Sequence, residues 1–110
     1  MTSTLSEAML VRKGMQKLKD AFPDAWIIKT ADRMTRGIPD VLAVIVHGSS
    51  VIVCCLEFKT ERGRVSGIQQ ITLDRLQRLA DQACFGEIVP RVVRSLEDVE
   101  SLINEIKHCS

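Results

Sequence analysis

Residues 39–59 read PDVLAVIVHGSSVIVCCLEFK, and the reading of this stretch decides the fold. Two runs rich in β-branched residues, Val41 to Val46 and Val51 to Phe58, flank the turn-forming His47-Gly48-Ser49-Ser50, which is the pattern of a β-hairpin. Val51, Val53 and Cys55 alternate with Ile52, Cys54 and Leu56, so the second strand is apolar on both faces, and helices are expected to cover both sides of the sheet. If the hairpin closes symmetrically on residues 47–50, Asp40 stands opposite Glu57 at its open end. Directly opposed residues have Cβ atoms about 4.5–5.5 Å apart, and like charges held that way repel. A cation turns that repulsion into binding. Mg²⁺ suits the position, because it takes one or two carboxylates and completes an octahedron with water and phosphate oxygens. Strand periodicity puts Lys59 on the same face as both carboxylates, where an ammonium can orient water and stabilise charge developing on a phosphate. Asp40, Glu57 and Lys59 together describe metal-assisted phosphodiester hydrolysis.

Outward from the hairpin, the other elements follow from spacing. Val11, Met15, Leu18 and Phe22 recur at helical intervals and predict an amphipathic helix from about Leu5 to Phe22, after four polar, frayed residues. Pro23 and Asp24 end it. Ala25 to Lys29 reads as a short strand with Trp26 in the core, and the polar, basic stretch from Thr30 to Gly37 leads into Ile38-Pro39-Asp40. Downstream, Ser66 opens a helix with Ile68, Ile71, Leu76, Leu79 and Ala83 on its apolar side, and Gly86 follows its end. A strand over about Ile88 to Val93 contains Pro90, which cannot donate to a ladder and so belongs at an edge or a bulge. Ser95 then caps a helix carrying Leu96, Val99, Leu102, Ile103 and Ile106. The order is αβββαβα, an α/β class with a mixed central sheet flanked by helices.

Composition narrows the functions that fit. With 110 residues and 45% apolar content, one domain over residues 1–110 with one core is expected. Fifteen Lys and Arg against fourteen Asp and Glu leave a net charge of +1, so nucleic-acid binding must rest on local charge rather than a global field. Aromatic content of 4% argues against single-strand binding by base stacking. Cys54, Cys55, Cys84 and Cys109 lack zinc-site spacing, and the absence of a signal peptide points to buried, reduced thiols in a cytoplasmic protein. Val41 to Val46, the longest apolar stretch, is far short of the roughly 20 residues that span a bilayer, so no membrane partner is expected.

Gly37-Ile38-Pro39-Asp40, Glu57-Phe58-Lys59 and Gly63-Arg64-Val65-Ser66-Gly67-Ile68-Gln69 resemble the motifs of the VRR-NUC domain, a branch of the PD-(D/E)xK, restriction-endonuclease-like nucleases. The resemblance runs from about Glu7 to Ile106 and includes the late Arg94-Ser95-Leu96-Glu97-Asp98-Val99 segment. It implies a Mg²⁺- or Mn²⁺-dependent DNA endonuclease of the stand-alone kind found in phages and bacteria, acting on branched DNA such as four-way (Holliday) junctions. It further implies that Asp40, Glu57 and the backbone carbonyl of Phe58 are metal ligands and that Lys59 is the catalytic lysine. Gln69 matches a glutamine placed near the site, and Glu7 matches an acidic residue of the first helix that is a further candidate ligand. One departure is Gly67, where similar sequences often carry proline.

Plainer readings compete at several positions. Asp40 after Pro39 is also a turn residue, and Glu57 with Lys59 is also a strand-end ion pair, but neither accounts for their opposition across the hairpin. Thr4-x-x-Glu7 and Ser66-x-x-Gln69 both have capping-box spacing. Glu7 precedes Val11 by four residues and is therefore expected on the inward stripe of its helix. Arg33, Arg36, Arg62 and Arg64 are ordinary surface charges or, because both basic loops leave the same rim of the sheet, phosphate contacts. A domain this small offers few such contacts, so a homodimer presenting two sites to branched DNA is expected, with an interface at Ile88 to Val93 or the last helix. The alternative is a catalytically silent DNA-binding or interaction module on the same fold.

Overall fold

The computed structural model describes residues 5–30, 37–84 and 86–108, and its elements follow the expected order. Helix α1 spans Glu7–Ala21, strand β1 Trp26–Lys29, β2 Val41–His47 and β3 Ser50–Phe58. Helix α2 then covers Gly67–Gln82, strand β4 Glu87–Val93 and helix α3 Leu96–Lys107. Helix α1 is capped by Ser6, whose hydroxyl accepts from the Met9 N–H at 3.2 Å. The spacing Thr4-x-x-Glu7 is therefore not what starts the helix, and Thr4 itself lies outside the described residues.

The sheet is mixed, in the order β1-β2-β3-β4, with β1, β2 and β3 antiparallel and β4 parallel to β3. His47 pairs with Ser50 and Val41 with Leu56, the symmetric register expected of a hairpin closed by Gly48-Ser49. Strand β4 is an edge, and this lets Pro90 sit opposite Cys55 without depriving an inner ladder of a donor.

Alternation along the strands divides the residues between two layers. Val41, Ala43 and Ile45 of β2 and Ile52, Cys54, Leu56 and Phe58 of β3 are buried beneath α1 and α3. Gly14 of α1 approaches Phe58 so closely that a Cβ there would lie 2.8 Å from the ring Cε1 and 3.3 Å from Cγ2 of Val99 in α3. Since Phe58 faces this layer, Glu57 must face the other side of the sheet. Helix α2 lies there, packed mainly beside β4.

That second side is covered less than the alternation predicts. Leu73 is the one buried residue of α2, whereas Ile68, Ile71 and Leu79 are 44%, 61% and 50% exposed and Ala83 is the exposed C-cap. Trp26, expected in the core, is 58% exposed, and Val46 and Val51 are exposed beside the hairpin turn. Periodicity marks the apolar face of a helix or strand, but it does not supply a neighbour to cover it, and a single helix resting near β4 leaves β1 and the hairpin tip open. The thiols of Cys54 and Cys55 are buried and free as expected; Cys84 is free but exposed, and Cys109 lies outside the described residues. Among the described residues, no helix is long and apolar enough to cross a membrane.

Candidate active site

Asp40 lies one residue before β2, and Glu57 is the penultimate residue of β3. Continuing the register from the Val41 and Leu56 pair by one step sets the two acids opposite each other at the open end of the hairpin. Asp40 Oδ2 accepts the backbone N–H of Phe58 at 2.8 Å, so its carboxylate reaches across to β3. On the other side, Thr30 just past β1 fixes the Asp40 main chain. Its N–H donates to the Asp40 carbonyl at 2.8 Å, and its hydroxyl is shared between the carbonyls of Pro39 and Asp40. Thr30 is a residue that sequence reasoning leaves inside a polar loop. Its one signal is a hydroxyl immediately after a strand, where a side-chain bond to backbone is common.

Glu57 is only 1% exposed and is the one buried charged side chain among the described residues. Its Oε1 accepts from Gln69 Nε2 at 2.6 Å and lies 3.8 Å from Lys59 Nζ. Burial pushes its carboxyl up to about 7; the charge of Asp40 adds to the rise, Lys59 opposes it, and a shared hydrogen bond with Asp40 and the charge of Glu7 raise it further. Lys59 itself is mostly buried, and its N–H donates to the Val93 carbonyl at 3.0 Å, extending the β3 and β4 pairing by one residue.

Gln69 joins two structures. The Ser66 hydroxyl accepts from the Gln69 N–H at 3.1 Å while Gln69 Oε1 accepts from the Ser66 N–H at 2.8 Å, a complete capping box, and the amide nitrogen is left to reach Glu57. The first turns of α2 also receive the chain entering Asp40. Gly37 has φ +83°, and a Cβ on it would meet Ile68 Cγ2 at 2.6 Å and the Ile68 carbonyl at 2.9 Å. The glycine before the Pro-Asp pair is thus required twice, by its backbone angle and by its contact with α2.

The remaining candidates divide. Glu7 is exposed in the first turn of α1 rather than on the inward stripe, which begins with Leu10 and Val11; even so, its charge is felt at Glu57. Phe58 is buried, with its carbonyl in the peptide bond that leads to Lys59. Arg62 and Arg64 are exposed just past Lys59 without an ion pair among the described residues, whereas Arg33 and Arg36 lie outside them.

Two carboxylates at the open end of the hairpin, with one ammonium to offset them, form a centre short of positive charge, and that shortage adds to the burial that raises the Glu57 carboxyl. This donor set fits a hard divalent cation bound by two protein carboxylates and otherwise by water and substrate oxygens. Among the described residues, no group of three or more His, Cys, Asp and Glu side chains is placed to hold a metal.

No family model and no curated protein sequence matches the chain. Among solved structures, one described as "VRR_NUC domain" superposes with a TM-score of 0.69 at 18% identity, covering 94% of this chain and 97% of that one. The three helices and four-stranded mixed sheet are therefore arranged as in that VRR_NUC domain structure over nearly the full length of both chains.

Proposed function

We propose that this chain is a Mg²⁺- or Mn²⁺-dependent endodeoxyribonuclease of the VRR-NUC type, which hydrolyses phosphodiester bonds in branched DNA. The observation that carries the reading is the convergence of Asp40, Glu57, Lys59 and Gln69 at the open end of one hairpin. The four come from the approach to β2, the end of β3, the residue just past it and the start of α2, and they include the one buried acid among the described residues.

Asp40 and Glu57, with the backbone carbonyl of Phe58, would hold the cation. When bound, it supplies Lewis acidity toward phosphate and water. The chain's own groups do the rest. Gln69 fixes the rotamer of Glu57, and the Phe58 N–H fixes that of Asp40, so both carboxylates are held before any ligand arrives. Lys59 Nζ, tethered beside Glu57, orients the attacking water and stabilises the charge that builds on the phosphate. Arg62 and Arg64 contact neighbouring phosphates, with Arg33 and Arg36 in the same role, and such contacts position DNA without reading its bases.

A homodimer acting on four-way junctions completes the proposal. One 110-residue copy of net charge +1 makes few phosphate contacts, and pairing two copies about a two-fold axis doubles them and matches the symmetry of a junction. The exposed Ile68, Ile71 and Leu79 of α2 offer apolar surface for such pairing. The deciding experiment incubates the purified chain with linear, flap, splayed and four-way DNA in Mg²⁺, Mn²⁺ or chelator, alongside light scattering. Cleavage of branched DNA that needs the cation and is lost in Asp40→Asn supports the reading. DNA binding with no cleavage in either metal would leave a silent binding module.

A further inference from the structure

Arg94 follows β4 directly, and its side chain turns back toward the segment after Lys59 instead of outward. Its Nη1 donates to the carbonyls of Gly63 at 2.6 Å and Thr60 at 3.0 Å, with the Glu61 carbonyl farther off at 3.5 Å. The arginine is half-buried and makes no ion pair among the described residues, so its charge is answered by these backbone dipoles. Its own backbone is fixed as well. The Arg94 N–H donates to Asp98 Oδ2 at 2.8 Å, and the Asp98 N–H donates to the hydroxyl of the α3 cap, Ser95, at 3.2 Å.

The segment held in this way has no helix or strand to shape it. The Gly63 N–H bond to the Thr60 carbonyl at 3.0 Å lies within the segment, and the Arg94 bonds tie it to the end of β4. It begins at Lys59, whose N–H bonds to the Val93 carbonyl, and runs through the exposed Arg62 and Arg64 to Ser66, the cap of the helix whose Gln69 grips Glu57. Movement of this loop would disturb the site from both of its ends.

We propose that Arg94 is a positioning residue: its guanidinium gathers the loop carbonyls, and this fixes the Lys59 side chain over the site and holds Arg62 and Arg64 on the rim. The catalytic consequence rests on the nuclease reading; the loop-holding role does not. One guanidinium nitrogen aimed at several carbonyls gives charge-assisted hydrogen bonds, which are stronger than neutral ones.

The test uses the full chain as Arg94→Ala and Arg94→Lys and reads two things. Trypsin under native conditions, followed by mass spectrometry, reports cuts after Arg62 and Arg64. Arg94→Ala is expected to be nicked there at least about tenfold faster, the loss of one charge-assisted bond, with cuts elsewhere unchanged. Arg94→Lys recovers part of the protection, since its ammonium has the donors but ends one bond short of the arginine Nη1, and it keeps the test available should the alanine variant fold poorly. Single-turnover cleavage at saturating DNA is expected to fall by about 10- to 100-fold in Arg94→Ala, the mark of a misplaced catalytic group, and any loss of DNA affinity should accompany the nicking that releases Arg62 and Arg64. Equal nicking of the variant and the unmodified chain overturns the proposal. So does lost DNA affinity with a loop that stays protected, which would make Arg94 a phosphate contact. If the unmodified chain cuts no DNA, the nuclease reading fails while the nicking comparison still decides whether Arg94 holds the loop.

Discussion

Gln69 Nε2 lies 2.6 Å from Glu57 Oε1, so the residue that closes the capping box of α2 also grips a buried carboxylate on β3. One side chain thereby couples the start of a helix to the acid at the centre of the site. Truncating the side chain removes both jobs at once.

Gln69→Ala is accordingly expected to lose about 2–3 kcal/mol of stability, combining part of a cap with a hydrogen bond to a buried acid. Urea unfolding at pH 8 measures it. Gln69→Glu keeps the box but sets a third carboxylate beside Asp40 and Glu57, so its penalty should be larger at pH 8 than at pH 5. Equal stability of Gln69→Ala and the unmodified chain would remove the coupling.

The second expectation concerns pH. The folded chain holds the Glu57 proton up to about 7, against an ordinary value of 4.5, so folding favours the protonated form. Its contribution is fully present below about pH 4.5 and is lost as pH rises through about 7, on the order of 3 kcal/mol in all. Unfolding in chelator from pH 5 to pH 8 should show this decline, and Glu57→Gln should flatten it. Mn²⁺ should reverse it by binding the folded form of the ionised site. A Glu57→Gln curve parallel to that of the unmodified chain would sink the assignment.

How much of this was legible in the sequence varies with the range of the interaction. Asp40 opposite Glu57 could be read because a two-residue turn and two uninterrupted apolar strands leave one register, and the Ser66 and Gln69 box could be read because its partners are three residues apart. The bond from Gln69 to Glu57 crosses from a helix to a strand, and those from Arg94 span 31 to 34 residues, so spacing gives no hint of either. Helix α2 failed differently. Its apolar positions are real, but Ile68, Ile71 and Leu79 stay exposed, and nothing in the local pattern distinguishes a covered stripe from an open one.

Gly37→Ala tests the support beneath Asp40. The substitution meets a left-handed backbone at φ +83° and the Ile68 carbonyl 2.9 Å from the new Cβ, so relaxation must move either α2 or the approach to Asp40. A loss of about 1–3 kcal/mol is expected. Weaker Mn²⁺ binding in calorimetry should accompany it. Gly67→Ala is the control, because a Cβ there meets nothing within 4 Å. Similar losses at both glycines would show that contact with α2 is not what Gly37 provides.

Lys59 tests the chemistry itself. Its Nζ stands 3.8 Å from Glu57 Oε1, too long for a strong hydrogen bond, while its backbone is fixed independently by the Val93 carbonyl. Lys59→Ala therefore leaves the strand pairing in place, and it removes a charge that lowers the Glu57 carboxyl, so Glu57 should titrate still higher. With Glu57 buried and Lys59 mostly so, the lost partner should lower stability at pH 8 and matter less at pH 5, where Glu57 holds its proton. Cleavage should behave quite differently: losing a group that acts on the transition state lowers the single-turnover rate by roughly 10² or more while DNA binding persists. Lys59→Arg keeps the charge but replaces a compact ammonium with a wide planar fork in a mostly buried position, so it should restore binding electrostatics without restoring the rate. A Lys59→Ala chain that cuts at the unmodified rate would reduce the lysine to a structural ion pair. One that loses the fold along with DNA binding would make it a core residue, and in both cases the catalytic role proposed for the hairpin's open end would have to pass to the two acids alone.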